Sequence, residues 1–240
     1  MGLVNANADP VGLLEGIATT RAARRFLPEP VVDQALATML FAATRGPSGS
    51  NRQPFRFVVL RDGPKARAAK SLIGASARRA WAPKRDTDSY DKGSGAVEGS
   101  PKSRMARTME DFVAQFEDVP AVVLACLARY RPPMPTEGAS VYPACQNLLL
   151  AARAIGYGGV LTLWHVSVEE ELRALLDIPE RVAISATLAI GKPRDKPGAV
   201  RRLPLSELVF EEQWGQSPPW AVDPPGTLFT SAGPPRHEPK

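Results

Sequence analysis

Val32, Leu36, Met39, Leu40 and Ala43 recur at spacings of three and four, which predicts a helix over 31–44 that buries one apolar stripe. Gly46-Pro47 stops it. A shorter amphipathic stretch, 10–19, follows Asp9 as cap with Pro10 in the first turn. After a loop over 48–54, the run at 55–60 reads as a buried strand. Asp62-Gly-Pro then opens a helix of basic and small residues that ends near Trp81. The next stretch, 82–101, is rich in Gly, Ser, Lys and Asp and is long enough for a lid or a disordered loop.

A helix resumes over 102–116, and the uniformly apolar run 121–128 suits a central strand. The longest predicted helix spans 138–155, with Gly156 and Gly158 as its stop. A short strand at 160–163 precedes Ser167-Val-Glu-Glu170, a capping box that opens a helix to Leu176. The last strand, 182–190, ends at Gly191-Lys-Pro193. The stretch 205–214 is amphipathic but isolated, so it must find a partner surface. These elements predict one α+β domain over 1–215, with helices covering a small sheet and a lid-like insertion at 81–104. Prolines crowd 216–240, where an extended or disordered tail outside the core is expected.

Composition narrows the classes. Of 240 residues, 44% are hydrophobic and 23% charged, too apolar for a wholly disordered chain. The apolar runs are too short for a helical membrane span. The first residues lack the cationic start and apolar block of a secretory signal, and Ala6 breaks the myristoylation pattern opened by Met1-Gly2. Two cysteines, Cys126 and Cys145, support neither a disulfide framework nor a metal cluster, so a cytoplasmic location is expected. The net charge of +5 raises the question of nucleic acid. Basic residues alternate with acids along most of the chain, however, and no recognition-helix or RNP-like pattern occurs. A nucleic-acid partner is therefore the least favoured reading.

Self-sufficient catalytic machinery is missing from the sequence. His165 and His237 are the only histidines, and there is no G-x-S-x-G elbow and no phosphate-binding G-x-x-x-x-G-K-[ST] loop. Gly156-Tyr-Gly-Gly159 follows a helix rather than a strand, the wrong context for a dinucleotide turn. If the protein is an enzyme, a cofactor carries the reaction. Three segments have the composition of a site for an anion and a ring. In Thr20-Arg-Ala-Ala-Arg-Arg-Phe26, two of Arg21, Arg24 and Arg25 can converge on a phosphate, although a solvated basic helix end has the same composition. In the stretch 46–54, Ser48, Ser50, Asn51 and Gln53 mix donors and acceptors as a planar heterocycle requires, and so does many an ordinary loop. Arg201 and Arg202 add two guanidinium groups, or simply a basic spacer. Trp164 reads equally as a ring-stacking or a core residue. His165 reads as a structural hydrogen-bonder, and both cysteines read as core.

The order and spacing of these segments resemble the nitroreductase-like flavoproteins. Residues 20–26 are similar to their R-R-S-x-R-x-F opening, and Pro47-Ser-x-x-Asn51-x-Gln-Pro54-Phe to their P-S-x-x-N-x-Q-P-W segment. Gln146 to Gly156, Ile190-Gly-Lys-Pro193 and Arg201-Arg-Leu-Pro-Leu-Ser-Glu-Leu-Val209 resemble later family segments, and the likeness spans about 13–215. The resemblance implies a three-layer fold, a mostly antiparallel sheet flanked by helices, with the C-terminal segment exchanged in a homodimer. It implies FMN at the dimer interface, held by Arg21, Ala22, Ala23 and Arg24 of one chain and Pro47, Ser48, Gly49 and Asn51 of the other. Leu161, Thr162, Leu163 and Trp164 would face the isoalloxazine ring, Arg201 and Arg202 the phosphate, and Arg24 the N1/O2 edge. The implied activity is ping-pong transfer from NADH or NADPH through flavin N5 to a nitroaromatic, quinone or related small-molecule acceptor. A flavin store or sensor, or reductive dehalogenation or enone reduction on the same fold, are the alternatives. Thr20, Ala22 and Phe55 depart from the family pattern, the first two at positions where Arg and Ser are usual.

Overall fold

The computed structural model describes residues 11–196 and 198–230. Its helices are α1 (Leu13–Thr19), α2 (Asp33–Ala43), α3 (Pro64–Thr87), α4 (Pro101–Ala114), α5 (Tyr142–Ala154), α6 (Glu169–Leu176) and α7 (Leu205–Leu208). The strands are β1 (Phe55–Leu60), β2 (Ala121–Ala128), β3 (Gly158–Thr162) and β4 (Val182–Gly191). They form one antiparallel sheet in the order β1-β2-β4-β3. The proposed cap at Asp9 and Pro10, and His237, lie outside the described residues.

Alternation along β2 creates the three layers. Ala121, Val123, Ala125 and Leu127 pack with α2 and α5 on one face of the sheet, while Val122, Leu124 and Cys126 pack with α3, α6 and the turn after α4 on the other. Both faces are covered, which is why the run is apolar throughout. On β4 the pairing slips between Ala125/Ala186 and Cys126/Ile184, leaving Ser185 as an extra residue. That bulge keeps Ala183 and Ala186 on the same face, although three positions separate them. The α+β class and antiparallel sheet match the expectation.

Several boundaries differ. Helix α3 does not end at Trp81 but continues to Thr87 through Pro83, and at 24 residues it is the longest helix. Tertiary contacts offset the rung that proline forfeits. Trp81 is buried among Ala77, Ala106 and Val113, and Arg85 forms ion pairs with Asp91 and Glu110, each at 2.8 Å. The stretch taken as a lid therefore begins inside a helix. Conversely, the helix expected over 138–155 is divided into a 3₁₀ turn, Glu137–Ser140, and the 13-residue α5. The capping box does not form. Ser167 Oγ lies 2.7 Å from Ser76 Oγ on α3, and α6 starts at Glu169 without a side-chain cap. Beyond Leu208 the amphipathic stretch is not helical, and Trp214 is 86% exposed. The described proline-rich residues return to the body, where Ala221 is buried and Phe229 bridges Arg202.

Candidate functional site

The arginine-bearing segment 20–27 is extended and laid along the β3–β4 end of the sheet. Ala23 N–H donates to Gly159 O at 3.0 Å, Leu27 N–H to Lys192 O at 2.8 Å, and Arg194 N–H to Arg25 O at 3.0 Å. Glycines allow this close approach. A Cβ on Gly158 would lie 3.1 Å from Ala23 Cβ, and one on Gly191 would meet the Phe26 ring at 2.9 Å. Val200 N–H donates to Ala18 O at 2.9 Å, so Arg201 and Arg202 follow a residue tied to the stretch just ahead of Arg21. Two segments distant in sequence thus meet on one protomer, with Arg21, Arg201 and Arg202 all exposed.

The three arginines of the first segment have different environments. Arg25 is committed to a bidentate ion pair with Asp195. Arg24 is half-buried, its pKa lowered chiefly by burial and partly restored by the Tyr90 phenol, and among the described residues it makes no ion pair. It lines a cavity of about 250 Å³ with Ala80, Trp81, Lys84, Met109 and residues 160–164. Among the described residues the Arg24 guanidinium there has no acceptor; the Trp81 indole Nε1–H also lacks a partner, but that atom is fully buried and not open to the cavity. Lys84 is paired with Asp88 at 2.6 Å, and among the described residues no Asp or Glu lines the cavity. Such a cavity favours an anionic, acceptor-rich ligand.

Along the floor, the expected ring-facing residues divide. Leu161 is half-buried and Leu163 is 52% exposed, whereas Thr162 is buried, its hydroxyl 3.5 Å from Thr187 O. The Trp164 ring packs on Phe112 and Phe116 with centroids 5.3 and 5.6 Å away, so it is a core aromatic that also borders the cavity. His165 is buried, Nδ1 lying 3.1 Å from Thr187 Oγ1, and burial lowers its pKa. Burial pushes the thiols of Cys126 and Cys145 up to about 11 and about 12. Neither cysteine has the environment of a redox nucleophile.

The loop with Pro47, Ser48, Gly49 and Asn51 is not brought to this cavity. It precedes β1, which stands three strand spacings, roughly 14 Å, from β3. Its contacts lie near the start of α5, where Gly49 N–H donates to Ser140 Oγ at 3.4 Å. Ser50, Asn51 and Gln53 all have positive φ, near 50°, and Gln53 N–H donates to Ser48 Oγ at 3.0 Å. Three non-glycine residues in the left-handed region within four positions is the kind of backbone strain that accompanies binding loops. Sequence reasoning missed Ala80, Trp81, Lys84 and Met109. Trp81, a lone aromatic among small and basic residues, was the available signal.

A three-layer α+β sheet protein with a donor-rich cavity at one edge strand is a small-ligand-binding architecture. A sequence model of the nitroreductase family matches residues 17–192, and the chain belongs to that family. It is 29% identical over 206 residues to an NADH dehydrogenase of Thermus thermophilus, covering 79% of this chain and 91% of the relative. With the 5,6-dimethylbenzimidazole synthase of Rhodospirillum rubrum it shares 30% identity over 182 residues, 73% of this chain and 79% of the relative. Among solved structures, a chain from Desulfovibrio desulfuricans that carries the nitroreductase name, in complex with FMN, superposes with a TM-score of 0.60 at 27% identity. That match covers 86% of this chain and 98% of the other.

Proposed function

We propose that the protein is a homodimeric, FMN-dependent oxidoreductase that takes electrons from NADH or NADPH and passes them to a nitroaromatic, quinone or related conjugated acceptor in a ping-pong cycle. The observation that carries this reading is the cavity against β3, with an Arg24 guanidinium that makes no ion pair among the described residues. FMN fits it chemically, because its ring carbonyls and phosphate supply acceptors for that guanidinium. Bound FMN would supply two-electron hydride chemistry.

The chain's own residues would bind and orient. Arg21, Arg201 and Arg202 offer exposed guanidinium groups for the phosphate, and Arg24 a cation for the carbonyl edge of the ring. Ala23 keeps the segment close to β3 through its hydrogen bond to Gly159, with the small, exposed Ala22 beside it. Leu161 and Leu163 give the floor an apolar surface that excludes water. A second copy of the chain would bring the strained loop, with Pro47, Ser48, Gly49 and Asn51, to the open side. An apolar groove of Tyr142, Leu149, Leu161 and Leu163 and the exposed Leu13, Leu14 and Ile17 of α1 provide surface for that copy.

Flavin absorbance of the purified protein, bleached anaerobically by NADH or NADPH and restored by an acceptor, is the expected result. Protein that stays colourless with excess FMN, or is monomeric when loaded, overturns the proposal. Flavin that binds but resists both nucleotides identifies a store or sensor instead.

A further inference from the structure

Arg52, on the loop that carries Asn51, meets guanidinium groups of the segment that follows β2. The Arg52 guanidinium lies over the Tyr130 ring, 4.5 Å from its centroid, and that of Arg131 lies 5.3 Å from the same centroid. All three side chains are exposed, Tyr130 by 54%. Glu137 is the nearby carboxylate, and Arg129 already holds it bidentately, with the shorter contact at 2.6 Å. Among the described residues neither Arg52 nor Arg131 makes an ion pair. Glu137 attracts Arg131 at longer range, but neither cation beside the ring has a carboxylate paired with it, and the two repel each other. The weak attraction of an exposed aromatic face offsets that only in part.

The cluster is not a loose surface feature. Pro54, Tyr130, Arg131, Glu137 and Ser140 line one small cavity, and Gly49 N–H donates to Ser140 Oγ. Tyr130 and Arg131 thereby sit against the loop proposed to complete the flavin site, and Arg52 lies on that loop. Stacking on Tyr130 orients a planar guanidinium before any ligand arrives, which lowers the entropy lost when it binds a phosphate. The geometry points to Arg52 and Arg131 as the recognition site for the 2′-phosphate of NADPH, with Tyr130 as the platform that holds them. A doubly charged phosphomonoester supplies the two anionic contacts that the pair lacks, and the hydroxyl of NADH does not. This assignment rests on the functional reading above and names its electron donor.

The test uses the full chain as purified with FMN. By calorimetry, 2′,5′-ADP should bind roughly tenfold or more tightly than 5′-AMP, because a charge-assisted contact is at stake. Arg52→Ala and Arg131→Ala should each remove most of that difference, and Arg52→Lys should keep part of it. In stopped flow, the ratio of kcat/KM for NADPH to that for NADH should fall by about the same factor in the alanine variants. Equal binding of 2′,5′-ADP and 5′-AMP, or of inorganic phosphate and 2′,5′-ADP, overturns the assignment, as does faster reduction by NADH. Failure of both nucleotides to reduce bound flavin overturns the functional reading instead, whatever the calorimetry gives.

Discussion

Arg25 grips Asp195 through two parallel hydrogen bonds, Nε to Oδ2 at 3.0 Å and Nη2 to Oδ1 at 2.5 Å, across 170 positions of sequence. The pair fastens the arginine-bearing segment to the chain that leaves β4, beside the Arg194 N–H to Arg25 O bond. It also separates the three arginines: Arg25 is held by a carboxylate, while among the described residues Arg24 and Arg21 make no ion pair.

Replacing Arg24 should affect binding more than folding. It strands no carboxylate, so Arg24→Ala is expected to change stability by no more than about 1 kcal/mol. FMN affinity should fall roughly tenfold or more, in line with losing a charge-assisted hydrogen bond, and flavin reduction should slow. Fluorescence titration of FMN with urea denaturation of the same variant checks both. Unchanged affinity and reduction rate would remove Arg24 from the site.

Gly159→Ala should destabilise the protein by about 1–3 kcal/mol, as overpacking does. The new methyl group would meet Ala189 O at 2.6 Å, and a backbone atom of the paired strand cannot swing aside. The measurement is the urea midpoint, and an unaltered midpoint would contradict this packing.

His165 makes stability depend on pH. Burial lowers its folded pKa, so the unfolded chain binds the proton more readily. Its contribution is complete above the unfolded value of about 6.5 and is lost as pH falls from there through the depressed folded value. Denaturation midpoints between pH 7.5 and 5 should decline in the wild type and decline less in His165→Gln. Parallel curves would show that this imidazole is not responsible.

Both cysteines should be inert in the native state. With the Cys126 pKa at about 11, only about one thiol in a thousand is ionised at pH 8, and Cys145 is higher still. Both side chains are buried. Alkylation by iodoacetamide should be negligible until denaturant is added and should then modify two sites. Rapid labelling of the native protein would overturn the burial seen for them.

The strands were legible because their signal is local. The runs at 55–60 and 121–128 coincide with β1 and β2; the unbroken apolar run of β2 lies in the covered middle of the sheet, whereas β1, interrupted by Arg56, is an edge strand buried only at Phe55 and Leu60 rather than throughout as expected. Helix ends were less so. Pro83 reads as a stop from local sequence, yet the burial of Trp81 and the ion pairs of Arg85 carry α3 past it. Ser167 has capping-box spacing, but a serine on α3 takes its hydroxyl. In each case a contact with a distant element outcompeted a local preference, worth about 1 kcal/mol for the cap and about 3 kcal/mol for the helix-interior proline. The far wall of the cavity was hidden for the same reason, because Ala80 and Lys84 carry no motif and become cavity residues only through the way α3 crosses the sheet.

From the order of its residues alone, this chain determines an α+β domain, a dependence on borrowed chemistry, and which two segments bear the arginines. Those properties follow from periodicity and composition, which are written along the chain. Folding in space decided that Arg25 closes on Asp195 while Arg24 stays unpaired, that Trp164 turns into the core, and that the loop of Asn51 stands apart from β3. Pairing, burial and separation are relations between residues far apart in sequence, and only the packed sheet sets their distances.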